Sequence, residues 1–188
     1  MNQSDINDTS IVRRKDMSRG VYRKVASSVD KGSMIRLKAG VYSPPEALLS
    51  SWIDIERIVP EGILCLYSAW SIHRLTTQIP DAFYVAIRNK RRVVLPEFPS
   101  IHLVYISDSI LDLGAEKIEE NGIVSRVYNC ERSVCDAIKY RNKIGIDVMA
   151  EILKTYLSRD NRDIKKLTEY ASRLRVKNIL NKYFEIYL

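Results

Sequence analysis

The chain has 188 residues, 46% of them hydrophobic, with a net charge of +7 and three cysteines. That length suits one domain, or a small module plus one domain of ordinary size. No run approaches the roughly 18 apolar residues of a membrane span, the polar start Met1–Ser10 does not read as a signal peptide, and Cys65, Cys130 and Cys135 sit in apolar-periodic segments. A cytoplasmic protein with reduced thiols is therefore expected, with no metal, because only His73 and His102 could join the cysteines.

Charge is distributed unevenly. Residues 1–44 hold nine Lys/Arg against four Asp/Glu, residues 45–138 nine against thirteen, and residues 139–188 twelve against six. Basic ends around a mildly acidic middle point to anionic partners, or to solvated basic faces. Gly40-Val-Tyr-Ser-Pro-Pro45 divides a polar module, 1–44, from a more apolar domain, 45–188.

In the module, Ser18 is placed to cap a helix that runs to about Asp30 and closes at Gly32. Val21, Val25 and Val29 recur on one side, while Arg19, Arg23 and Ser27 lie about 200° round at 3.6 residues per turn. Met34–Tyr42 then alternates with period two and carries a glycine, as a hairpin does. A basic helix followed by a two-stranded ribbon is how a winged helix-turn-helix ends, with the helix in the major groove and ribbon cations on phosphate. The other reading is a small α+β cap with a basic side. Only 17 residues precede the helix, where two more helices would normally fit; either the first of them is absent, or Ile11–Lys15 is all that remains of both.

Beyond the boundary, Pro44–Glu56 reads as a helix entered through proline, and Ile63, Leu64, Tyr67, Trp70 and Ile72 as a second one started at Pro60 and ended by His73. His73 there reads as a hydrogen-bonding group. Segments 82–87, 100–106 and 123–128 are rich in β-branched and aromatic residues and read as strands, with Asn89–Arg92 as a basic turn. Three apolar stripes, at Met149–Leu157, Ile164–Leu174 and Val176–Tyr187, read as helices. The expected class is α/β (α+β): a small winged-helix module and a second domain whose small sheet is packed by helices.

The segment Ser125–Asp147 carries Glu131, Arg132, Asp136 and Arg141 among Val134, Cys135 and Ile138. Arg132 and Asp136 are four apart and able to pair. The segment is either a helix start held by that pair or a functional surface. There is no glycine-rich phosphate loop, no Gly-x-Ser-x-Gly and no His-Glu-x-x-His. Pro80-Asp81 with Asp163-Ile-Lys165 only loosely imitates a metal nuclease. The chain is expected to be non-catalytic and to use no cofactor.

Four blocks carry a resemblance: Gly40-Val-Tyr42; Leu64 to Pro80 with Ser68-Ala-Trp70 and Leu75-Thr-Thr-Gln-Ile-Pro80; Tyr84-Val-Ala-Ile87; and Glu131-Arg-Ser-Val-Cys-Asp136 with Tyr140-Arg-Asn-Lys143 up to Asp147. Together they resemble the AbiEi family of type IV antitoxins, from abortive-infection systems of phage defence. The resemblance implies a winged-helix module that binds inverted repeats in its own promoter, and a C-terminal domain that counters a nucleotidyltransferase-like toxin without a stable complex. It implies DNA contacts from Ser18, Arg19, Arg23, Lys24, Arg36 and Lys38, and an antitoxicity surface around Arg132, Asp136, Tyr140 and Arg141. The alternatives are an interaction module of the same fold that does not bind DNA, and a degenerate nuclease-like domain using Asp81.

Overall fold

The computed structural model describes residues 11–48 and 53–187. It is an α/β protein with two sheets, and the larger sheet is packed on both faces.

The small sheet has the order β1-β3-β2, with β1 at Val12–Arg13, β2 at Ile35–Lys38 and β3 at Val41–Ser43, all antiparallel. Helix α1, Arg19–Asp30, lies between β1 and β2 in the chain. Ser18 caps it by accepting from the Val21 N–H, and Gly32 follows it with φ of 78°. Val25 is buried against Val12, Met17 and Tyr42, with Val21 and Val29 beside it, so the four-residue valine stripe is the packing face. The segment Ile11–Lys15, expected as what is left of earlier helices, is instead a short strand running into a one-turn 3-10 helix, Arg14–Asp16, and α1 is the module's one α-helix among the described residues.

A bulge in β2 sets which side each ribbon cation takes. Arg36 pairs with Tyr42 and Lys38 with Val41, so Leu37 is the extra residue. Tyr42 and Val41 point to opposite faces, and the bulge therefore sends Arg36 and Lys38 to opposite faces as well. Tyr42 belongs to the α1 side, whereas Val41 joins the core of the larger domain.

The expected helix over 44–56 is instead a 3-10 turn at Pro45–Leu48 and a short α2, Ile55–Ile58, capped by Asp54; residues 49–52 lie outside the described residues. The helix expected from Pro60 starts later. Ile63–Leu64 forms β4, buried in mid-sheet, and only Leu66–Ile72 is helical, as α3. An apolar pair this short has no periodicity by which a buried strand differs from a helix turn.

The large sheet has the order β6-β5-β4-β8-β7, with β5 at Phe83–Arg88, β6 at Ile101–Ile106, β7 at Ala115–Glu120 and β8 at Ile123–Tyr128. β5 and β6 are parallel, as are β4 and β8, and the other neighbours are antiparallel. The turn at Asn89–Lys90 thus opens a long crossover, because a parallel partner cannot follow a tight hairpin. A one-turn helix α4, Asp108–Leu111, leads to β7, an edge strand of mostly exposed charged residues.

Four helices complete the chain: α5 Cys130–Ile144, α6 Ile146–Leu157, α7 Ile164–Arg173 and α8 Lys177–Tyr187. Gly145, at φ 95° and ψ 144°, separates α5 from α6 in a conformation essentially reserved for glycine. One sheet face carries Ala86, Ile106 and Tyr128 against Trp70, Ile138, Met149 and Ile152. The opposite face carries Val85, Ile87 and Val127 against Ile53, Ile55, Ile58, Val41 and Ile11. Residues 11–44 are therefore docked on the sheet through Ile11 and the β-ribbon.

Candidate nucleic-acid interface

Helix α1 packs through its valines, so its other side is left to solvent. Arg19, Arg23 and Lys24 are all exposed there, and Arg36 is exposed on the ribbon. Among the described residues none of these four has a carboxylate within ion-pair distance of 4.0 Å. Ser18 is exposed too, but its hydroxyl oxygen already serves as the helix cap. Arg14 is packed over the Tyr22 ring, 4.4 Å from its centroid, and Tyr22 meets Tyr42 edge-on at 6.2 Å. These contacts hold α1 on its sheet, which makes the basic side a fixed surface.

Two further cations of the module are committed elsewhere. Arg13 Nε donates to Asp16 Oδ2 at 2.9 Å, and Arg57 Nη1 of α2 reaches the same oxygen at 3.3 Å. The Arg13 hydrogen bond holds the Asp16 carboxyl below its usual range, with Coulombic help from Arg13 and Arg57 against the cost of burial. Lys38, grouped in sequence with the residues expected to contact DNA, donates instead to Ile58 O at 2.6 Å and Val94 O at 2.8 Å. Burial, and then Arg91 nearby, lower the Lys38 pKa. The β2 bulge is the reason: it turns Lys38 towards the larger domain, where it ties the ribbon to α2 and the crossover.

The residues expected at an antitoxicity surface divide differently. Arg132 is 0% exposed and Asp136 is 2% exposed, so neither forms part of a surface. Asn129 caps α5 by accepting from the Arg132 N–H at 3.0 Å. The Arg132 side chain then runs inward, where Nε donates to both Asp136 oxygens at 3.1 Å and Nη1 donates to Ile110 O at 2.7 Å and Leu113 O at 3.0 Å. Its guanidinium stacks 4.2 Å from the Tyr128 ring centroid, and the Tyr128 hydroxyl donates to Leu111 O. Burial raises the Asp136 pKa, with Arg132 pulling the other way.

Glu131 is similarly enclosed. It accepts from the Tyr156 hydroxyl at 3.0 Å and pairs with Lys166 at 3.1 Å, linking α5 to α6 and α7. Trp70 Nε1 donates to Ser133 O at 2.9 Å, and His73, at the end of α3 as expected, bonds Tyr128 O through Nε2 at 2.7 Å. The charges of the Glu131–Asp136 motif thus link one end of the sheet to α5, α6, α7 and the α4 turn. Tyr140 and Arg141, one turn further along α5, are half-buried. Tyr140 lines an open cleft with Tyr67, Tyr84 and His102, a grouping the sequence reading did not foresee.

The residues of the loose nuclease pattern have local duties. Asp81 accepts from the Tyr84 hydroxyl at 3.2 Å, and Asp163 caps α7 by accepting from the Lys166 N–H at 2.9 Å. No helix among the described residues is long and apolar enough to cross a membrane. No protein-family model matches the chain, and no curated protein matches it.

Proposed function

We propose that this chain is an AbiEi-type antitoxin, acting in the cytoplasm. Its N-terminal module represses its own operon by binding inverted repeats in promoter DNA, and its C-terminal domain counters a nucleotidyltransferase-like toxin without a stable complex. The role needs neither catalysis nor a cofactor. The observation that carries the DNA-binding half is the open basic side of α1: Arg19, Arg23 and Lys24, with Arg36 on the adjacent ribbon and no described carboxylate to neutralise them. The antitoxic half rests on the sequence resemblance. Within it, Tyr140 and Arg141 are the two motif residues still partly open to a partner.

Fluorescence anisotropy with duplex DNA from upstream of the coding sequence, titrated across salt concentrations, tests the first half. Each phosphate contact adds about 0.9 to the slope of log affinity against log salt. Arg19→Ala/Arg23→Ala should weaken binding and flatten that slope by about two units if each arginine meets one phosphate. An unchanged slope would show that α1 does not face DNA. Co-expression with a nucleotidyltransferase-like neighbour tests the second half. The same double variant should still restore growth, and failure of the folded wild-type protein to do so would remove the antitoxin reading.

A further inference from the structure

Helices cover the large sheet unevenly. α3 and α5 pack over its middle, while the edge strand β6 extends beyond them with His102 exposed. Between them lies an open cleft of 530 Å³. Its walls are Tyr67 of α3, Tyr84 of β5, His102 of β6, and Tyr140 and Lys143 of α5.

The rings form a row. Tyr84 and His102 are directly opposed in the parallel β5–β6 pair, with centroids 5.1 Å apart and planes 32° apart. Tyr67 stands 5.2 Å from Tyr84 at 47°. The hydrogen bond from the Tyr84 hydroxyl to Asp81 fixes the middle ring and sets a carboxylate acceptor beside it. Across the cleft, Lys143 Nζ lies 5.9 Å from the Tyr140 centroid and is exposed.

We propose that this cleft binds single-stranded nucleic acid, with a base stacked on the His102–Tyr84 row and its phosphate on Lys143. Flat ring faces accept any base, and an ammonium at the rim supplies the phosphate contact, which is how sequence-tolerant single-strand binders work. The cleft is remote in sequence from the α1 face, and it stands or falls independently of the duplex-binding reading.

The test uses the full chain and short fluorescein-labelled oligouridylate and oligoadenylate, followed by anisotropy. His102→Ala, at an exposed position, should leave the melting curve unchanged and cut affinity about tenfold, the usual weight of one stacked base. Lys143→Gln should lower the salt slope by about 0.7. Arg19→Ala/Arg23→Ala should leave single-strand binding intact. The proposal is overturned by the absence of saturable binding, or by binding indifferent to His102→Ala and Lys143→Gln. It is equally overturned if binding is lost with the α1 arginines, or if oligoglutamate binds as tightly with no dependence on His102.

Discussion

Replacing Arg132 by Met would take a guanidinium out of a place where no water can substitute for it. Asp136, 2% exposed, would lose the donor that faces both its oxygens. Ile110 O and Leu113 O would lose theirs as well. Breaking a buried pair in this way costs about 3–5 kcal/mol, of which the two carbonyl bonds account for about 1 kcal/mol each. Against a usual total stability of about 5–15 kcal/mol, that is a large loss. Arg132→Met/Asp136→Leu removes the orphaned carboxyl and leaves only the carbonyl losses, so it should be more stable than the single variant by about 1–3 kcal/mol. Urea unfolding followed by tryptophan fluorescence, to which the buried Trp70 contributes, measures all of these variants. The single variant has a pH signature too. Burial already raises the Asp136 carboxyl pKa in the native state, and without Arg132 it rises further. The folded variant then holds a proton that the unfolded chain releases near pH 4, so its stability falls as pH rises and its deficit narrows in acid. A loss below about 1 kcal/mol, far short of the broken-pair range, would refute the reasoning, as would a double variant no better than the single one.

Other substitutions probe the joints around this centre. Gly114 has φ of 76°, and a Cβ there would lie 2.6 Å from Arg132 Cβ and 3.0 Å from Asn129 Oδ1; Gly114→Ala should cost about 2 kcal/mol or more in denaturant titrations. Lys38→Met should lower stability by about 1–2 kcal/mol through its two lost carbonyl bonds, yet leave the salt slope of duplex binding unchanged; a flatter slope would return Lys38 to the DNA-contacting set. Glu151 accepts from Thr77 N at 2.8 Å, Thr76 Oγ1 at 2.9 Å and Thr77 Oγ1 at 3.0 Å, tying the loop after α3 to α6. Burial works to raise its pKa, and these bonds outweigh it and hold the pKa low. Its stabilisation is therefore present above the unfolded value of about 4.3 and lost as pH falls through the lower folded value. Thermal melts of wild type and Glu151→Gln should differ at neutral pH, by about 1 kcal/mol, and converge in acid.

The elements legible from sequence were those whose pattern repeats over several turns or alternations. The α1 valines and the stripes of α6, α7 and α8 each bury one face, which leaves a periodic mark, while β5, β6 and β8, buried on both faces, show as β-branched and aromatic runs. What escaped was short or held from a distance. β4 is two residues long and is a strand because β5 and β8 flank it. β7 has an almost wholly polar sequence and is held by its pairing with β8.

The division is clearest at the two candidate sites. The amino-acid sequence by itself determined an α/β protein, a basic side on a capped helix, and an Arg132–Asp136 pair four residues apart, because all three depend on neighbours within a turn or two. Tertiary structure alone decided that this pair is interior, since burial depends on the α4 turn, Tyr128 and the helices that close over it. It also decided that Lys38 leaves the basic face, because one extra residue in β2 reverses the side of the sheet. The row of Tyr67, Tyr84 and His102 likewise exists only once β5 and β6 lie parallel, since strand direction and register are set by the whole sheet rather than by either strand.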